Sequence, residues 1–487
     1  MEFKVSVSAN PEAVVVGAEP GPPLGGVLVS LSLCMLLPSL GVSVANVALP
    51  TLAEAFAAPF QQVQWVVLAY LLATTALIVS VGRLGDLTGR RRLLMAGVLL
   101  FTVASGLCGV APSLGWLIAA RAAQGLGAAV MMALTMAFVG EAVPKSRTGS
   151  AMGLLGTMSA VGTALGPSLG GLLIAGLGWQ AIFLVNLPLG AVAFVLVRRY
   201  LPADRRVPNV SRPGFDHLGT LLLASTLVAY ALAVTIGRGR FGLLNQVLLL
   251  AAAVGVGLFV WTESRARSPL IRLARFRDPA LSASLAMGAL VSTVMMATLV
   301  VGPFYLARSL GLDTALVGVA MSAGPVVSAL TGVPAGRVVD RWGAQRMTLA
   351  GLAGMAIGCV ALCTVPASLG VAGYVVSLVI VTAHYALFQA ANNTAVMTDV
   401  APDQRGVVSG LLNLSRNLGL VTGASVMGAV FAVASGAADV SRASPEAAAV
   451  GMRVTFAVAA GLVLVALGIA MGGQALSRRS KGLATRK

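Results

Sequence analysis

Fourteen apolar runs, each about as long as a bilayer is thick, divide this chain, and the charged residues stand almost entirely between them. The runs begin near Gly25, Trp65, Leu93, Ser113, Ser150, Gln180, Leu218, Leu243, Ala280, Leu316, Met347, Val371, Val407 and Val454. A segment lying in hydrocarbon must satisfy its own backbone, so each run is predicted to be a membrane-crossing helix. Fourteen spans of roughly 20 residues use about 280 positions. That is close to the whole apolar inventory of a 487-residue chain that is 57% hydrophobic. The expected fold class is an all-α polytopic membrane protein. A soluble enzyme, a disordered chain and a nucleic-acid binder are excluded, in spite of a net charge of +17.

The available chemistry is narrow as well. Two histidines and four cysteines leave little basis for a metal site or a disulfide framework, and no cofactor is expected. A nucleotide-binding loop needs Gly-Lys-Ser/Thr, so that the lysine reaches the phosphates. The only lysines are Lys4, Lys145, Lys481 and Lys487, and none follows a glycine. Anything this chain moves must be driven by a gradient, without an ATP site.

Basic residues crowd one side of the expected membrane. With both tails inside, the outer connections hold only Arg238, Arg240, Arg308, Arg442 and Arg453, while Arg121 and Arg416 lie within helices 4 and 13. Every other Lys and Arg falls inside. Both termini are therefore expected in the cytoplasm, in a multi-pass protein of the cell membrane. The five tryptophans, Trp65, Trp116, Trp179, Trp261 and Trp342, fall at or near helix ends, where the water–lipid boundary favours them.

The two halves repeat each other. Gly82-Arg-Leu-Gly-Asp86-Leu-Thr-Gly89 recurs as Gly336-Arg-Val-Val-Asp340-Arg-Trp-Gly343, and Pro144-x-x-Arg147 recurs as Pro402-x-x-Arg405. All four segments fall in expected inner loops. The organisation expected is a tail (1–24), a six-helix bundle (25–199), a linker carrying two inserted helices (200–262), a second six-helix bundle (263–472) and a basic tail (473–487). An aspartate in such a loop can sit against a helix N-terminus, and the arginines can anchor to acids or to anionic lipid.

With these stretches stand Asn46-Val-Ala-Leu-Pro50, Arg121-Ala-Ala-Gln-Gly125, Gly162-Thr-Ala-Leu-Gly-Pro-Ser-Leu-Gly-Gly171 and Gly178-Trp-Gln-Ala-Ile-Phe-Leu-Val-Asn-Leu-Pro188. Together they resemble the major facilitator superfamily, and within it the fourteen-helix drug:proton antiporters (the EmrB/QacA type). The resemblance covers about residues 25 to 472 and implies two pseudo-symmetric bundles rocking about a central cavity. It further implies an inner gate at Gly82, Asp86, Gly89 and Arg90, repeated at Gly336, Asp340 and Gly343. The stretch Gly162, Gly166, Pro167, Gly170 and Gly171 matches the family's antiporter motif. The loop after helix 2 departs from the pattern at Leu87, where an arginine is usual. A second departure is Gly41, where the family commonly carries an aspartate.

On physical grounds Gly162, Gly166 and Gly170 share one helix face and allow close backbone approach, either for rocking against the other half or as plain small-residue packing. Pro167 removes a helix hydrogen bond and bends the helix. Arg121, with Gln124 on its face, lies about eight residues from the outer end of helix 4, or roughly 12 Å deep. Arg416 lies in helix 13, flanked by Asn413 and Asn417. Each arginine either faces the cavity or holds backbone carbonyls of adjoining helices. Asn46 and Tyr70 are assigned to the same cavity.

All sixteen Asp and Glu fall in tails, loops or helix ends. Two membrane cations without a membrane anion favour anionic, zwitterionic or neutral substrates over cations. His384 is the one membrane-embedded side chain of a type that titrates near neutrality; it either carries protons or is a neutral imidazole bonded to an adjacent helix. Glu141 and Asp86 are the other proton candidates. Tyr385, Gln389 and Asn392 follow on the cavity stripe assigned to helix 12. The expectation is a secondary efflux transporter with a small molecule and protons as partners. A uniporter or symporter on the same fold is the alternative, with a non-transporting receptor behind it.

Overall fold

A computed structural model describes residues 23–58, 60–204, 216–235, 242–266, 268–398, 400–436 and 444–484. Among them thirteen helices are long and apolar enough to cross a membrane, and a fourteenth if the bent pair Lys145–Gly166 and Ser168–Leu177 is one span. In chain order these are α1 (Leu24–Ala55), α2 (Trp65–Thr88), α3 (Arg90–Gly109), α4 (Leu114–Ala142), α5 (Thr148–Leu177), α6 (Asn186–Tyr200, which the turn Ala181–Leu184 extends to the span Ala181–Tyr200) and α7 (His217–Thr235). They continue as α8 (Leu243–Arg265), α9 (Pro279–Phe304), α10 (Thr314–Trp342), α11 (Ala344–Thr364), α12 (Gly370–Met397), α13 (Arg405–Ser435) and α14 (Pro445–Ala484). We call the end where α1 begins the basal face and the opposite end the distal face. The loop residues Arg238, Arg240 and Arg442 lie outside the described residues.

The sequence repeat is a structural repeat. α2 passes to α3 through Gly89 (φ +108°), and α10 passes to α11 through Gly343 (φ +88°). A single residue with positive φ makes each turn, a conformation glycine adopts without steric cost. Because the connection is so short, Arg90, Arg91 and Arg92 fall in the first turn of α3 instead of the loop expected for them. Short 3₁₀ turns at Lys145–Arg147 and Pro402–Gln404 lead into α5 and α13 in the same way.

α14 starts nine residues before the expected Val454, which places Arg453 inside it. Pro445 suits a first helical position, and Glu446 complements the dipole there.

The N-terminal half holds two apolar clusters, the second at its distal end, and the C-terminal half holds one large and one small cluster. The larger N-terminal cluster also takes in the basal ends of α9, α12 and α13, through Leu281, Met397, Val407, Val408, Leu411 and Leu412. The halves are therefore joined at their basal ends.

Candidate functional site

A cavity of about 1230 Å³ separates the distal halves of the two bundles. Its N-terminal wall carries Ser39, Ser43 and Asn46 of α1, Tyr70 and Thr74 of α2, and Thr163 of α5. Its C-terminal wall is oilier, with Met295, Met296 and Phe304 of α9, Met321 of α10 and Phe431 of α13. The lining reaches Val433, which is 83% exposed and stands two residues from the end of α13. At the bottom, Gly156, Ser159, Tyr385, Gln389 and Arg416 are shared with a second, much smaller chamber of about 40 Å³. That chamber has room for a few waters and is lined by Asn392, Asn393 and Asn413 as well.

Below the chamber the basal face is shut by two matching devices. At the end of α2, Asp86 accepts the backbone N–H groups of Gly406 (3.0 Å) and Val407 (3.2 Å) at the start of α13. At the end of α10, Asp340 accepts those of Gly149 (2.7 Å) and Ser150 (2.8 Å) at the start of α5, together with the Ser150 hydroxyl. Each carboxylate thus caps a helix of the other half, where orphan N–H groups and the helix dipole favour negative charge. Beside each cap the backbones touch: a Cβ added to Gly82 would overlap the Gly406 carbonyl, and one added to Gly153 would overlap that of Gly332.

The devices differ in one respect. Arg90 donates to Asp86 (2.8 Å) and to Glu141 (2.7 Å), and also to the Pro402 carbonyl. Asp340 has no ion pair among the described residues.

The sequence profile of the Major Facilitator Superfamily matches residues 31–424 and 285–482. The chain belongs to the major facilitator superfamily. It is similar to the multidrug resistance protein Stp of Mycobacterium tuberculosis, 33% identical over 416 residues that cover 83% of this chain and 75% of that protein. It is also similar to the riboflavin transporter RibZ of Clostridioides difficile, 30% identical over 406 residues that cover 83% of this chain and 88% of that protein. The solved structure of the proton:xylose symporter XylE superposes with a TM-score of 0.65 at 14% identity, over 91% of this chain and 94% of that one. At that identity the likeness shows the fold.

Within this transporter fold the two membrane arginines part company. Arg121 is fully buried and does not line the cavity, contrary to the cavity-facing option. Its Nε donates to the Val66 carbonyl (2.9 Å) and another nitrogen donates to Gln124 Oε1. The Tyr70 ring lies 4.3 Å from the guanidinium and separates it from the cavity. The cause is backbone approach: Gly125 brings α4 so close to α2 that a Cβ there would overlap the Tyr70 carbonyl. Gln124 is equally buried and donates to Ser105 Oγ (2.6 Å). Tyr70 itself reaches the cavity and donates its hydroxyl to the Pro38 carbonyl (3.0 Å). Arg416, by contrast, lines both the cavity and the chamber.

His384 does not face the cavity either. It lines neither space; its Nδ1 is 2.8 Å from the Ile380 carbonyl of its own helix, and its ring lies where a Cβ of Gly354 in α11 would stand. Helix geometry explains this, since Tyr385 is one residue on, a turn of about 100°, and it is Tyr385 and Gln389 that line the cavity. Asn392 and Asn413 line only the chamber, Asn417 only the cavity. Asn392 donates to the Ser284 carbonyl (3.3 Å) and leaves its own carbonyl oxygen unpartnered.

Gly162, Gly166 and Gly170 pack against α1 of their own half, not against the other half. The face of α5 that meets α10 carries Gly149 and Gly153. Nine residues separate Gly153 from Gly162, and at 3.6 residues per turn that is half a rotation. Gly171 has open space beside it. A bend of 42° falls between Gly166 and Ser168; the side chain of Pro167 lies outside the described residues.

Sequence reasoning missed two features. Helix α7 walls the cavity with Ala231 and Val234. The Tyr230 hydroxyl pairs with that of Thr422, and Ser425 donates to the Val234 carbonyl, so α7 is tied to α13. Nothing in the apolar pattern of α7 separates a wall helix from a lipid-facing one. The second is Glu263, 4% exposed at the end of α8, which accepts the N–H groups of Leu270 and Ile271 (both 3.3 Å) and so clips the linker into α9. An acid seven residues before a buried Leu-Ile pair was its only signal.

Proposed function

We propose that the chain is a secondary active efflux transporter for drug-like or metabolic small molecules. It works by alternating access as a proton-coupled antiporter of the fourteen-helix drug:proton type, in the cell membrane. The basal face is the cytoplasmic one, with both termini there, and the conformation described here faces outward. The observation that carries this reading is a roomy, oily cavity open distally and closed basally by two equivalent caps. Such caps must break and re-form when the cavity changes sides. The naming of Stp as a multidrug resistance protein supports export. No acidic side chain lines the cavity among the described residues, which supports anionic or neutral cargo over cations.

The same absence favours a second reading, in which a metabolite moves by uniport or symport, and the name of RibZ agrees with it. Purified protein in vesicles tests both. An imposed proton gradient should drive uptake into inside-out vesicles, with matching alkalinisation or acidification. Substrate counterflow that ignores the pH gradient would replace antiport by uniport.

A further inference from the structure

The cavity holds one cation, and that cation has no partner. Among the described residues Arg416 is the only Lys or Arg lining either the cavity or the chamber. It makes neither a hydrogen bond nor an ion pair there, and its Nε is buried. A guanidinium carries five donors in a rigid fork and stays charged at any physiological pH. Held at this depth it draws an anion, and in the closed basal state the protein supplies none. The other membrane arginine cannot share the role, because the Tyr70 ring stands between it and the cavity.

The surroundings narrow the anion. A single guanidinium matches one negative charge, and its parallel N–H pair fits a planar carboxylate with two hydrogen bonds. Gln389, Tyr385 and Asn417 border it on the polar floor. The chamber beneath, at about 40 Å³, admits water but not a carbon skeleton, so a head group stops at Arg416. Above it the same helix offers an apolar track: Leu420, Ala424 and Phe431 line the cavity along α13. From Arg416 to Phe431 that track rises about 22 Å at 1.5 Å per residue. Met295, Met296 and Phe304 face it from α9.

We infer that the cavity binds amphiphilic monocarboxylates, the carboxylate paired with Arg416 at the floor and the apolar body lying along α13 toward the distal mouth. This rests on the proposed efflux function for its setting and sharpens it from anionic or neutral cargo to one class. Arg416 reads the charge, and Arg121 acts only through the position of Tyr70.

Isothermal titration of the full-length protein in nanodiscs with 4-phenylbutyrate, 4-phenylbutanol and 4-phenylbutylammonium tests this, since the three share one apolar body. The acid should bind at least tenfold more tightly than the alcohol, with the ammonium compound weakest. Arg416→Gln should cost the acid tenfold or more and leave the alcohol within twofold, which also shows that the variant retains its cavity. Arg416→Lys should recover part of the preference, because it keeps the charge and loses the fork. Equal affinity for acid and alcohol, or an Arg416→Gln loss shared by both, would overturn the inference. Proton-driven flux of a neutral dye into sealed inside-out vesicles of the same protein separates the two readings. Flux without acid preference sinks the carboxylate site and keeps efflux, whereas acid preference without flux does the reverse.

Discussion

The two basal caps are built to one plan and finished differently. Asp86 on α2 holds the start of α13, and Asp340 on α10 holds the start of α5, each through two backbone N–H groups. Only the first is backed by ions: the Asp86 side chain is wholly enclosed, Arg90 is 10% exposed, and Glu141 is 34% exposed beyond it. The second uses a serine hydroxyl in place of the arginine. Duplication explains the shared geometry, because a helix N-terminus presents the same donors wherever it lies. The difference assigns unequal weight to the two seams. The α2–α13 seam is held by charge as well as by capping, and α7 braces α13 above it.

Four measurements can break that comparison or sharpen it. The largest effect is expected from Gly82→Leu, which forces a side chain into the Gly406 backbone. Overpacking against main chain costs about 3 kcal/mol, so basal closure and transport should fall on the order of 100-fold. Maleimide labelling of a reporter cysteine at Asn393 from the basal side would rise in step. Unchanged labelling would show that this contact does not close the gate.

Asp86→Asn comes next. Hydrogen bonds to a charged group contribute roughly 2 kcal/mol, and the same labelling assay should show the basal-open population rising about 30-fold. Asp340→Asn should move it less, by about 1 kcal/mol or fivefold, because no ion pair is lost with the charge. An equal response from the two aspartates would mean that Arg90 adds nothing. The smallest change belongs to Glu141→Gln, whose partly exposed pair with Arg90 is expected to give about 0.5 kcal/mol. High salt should reproduce the Glu141 effect and leave that of Asp86 nearly intact, since enclosed charges are poorly screened.

Much of this was legible beforehand, and the misses have a common cause. Span positions follow from hydrophobic length alone, so most helix starts lie within a few residues of expectation. The two basal turns could be read because Gly89 and Gly343 need a backbone few other residues tolerate, which leaves a fingerprint in the chain. For Arg121, His384 and the Gly162 stripe the sequence left two placements open, one facing the cavity or the opposing half and one in ordinary packing within their own bundle. Their faces depend on how each helix is rotated, which the apolar patterns of α4 and α5 do not report; on α12 the Tyr385 and Gln389 stripe does report it, and His384 stands about 100° from Tyr385.

The chain by itself determined where most of the apolar helices begin, the duplication, the glycine turns and the scarcity of carboxylates within the apolar runs. These are properties of single segments, enforced by the bilayer's refusal of unpaired polar groups. Which of two arginines meets the cavity, which glycine face meets which half, and the enlistment of α7 as a wall were decided only by tertiary structure. Rotations of a few tens of degrees about a helix axis choose among those outcomes, and close packing against neighbours, not local sequence, sets the rotation.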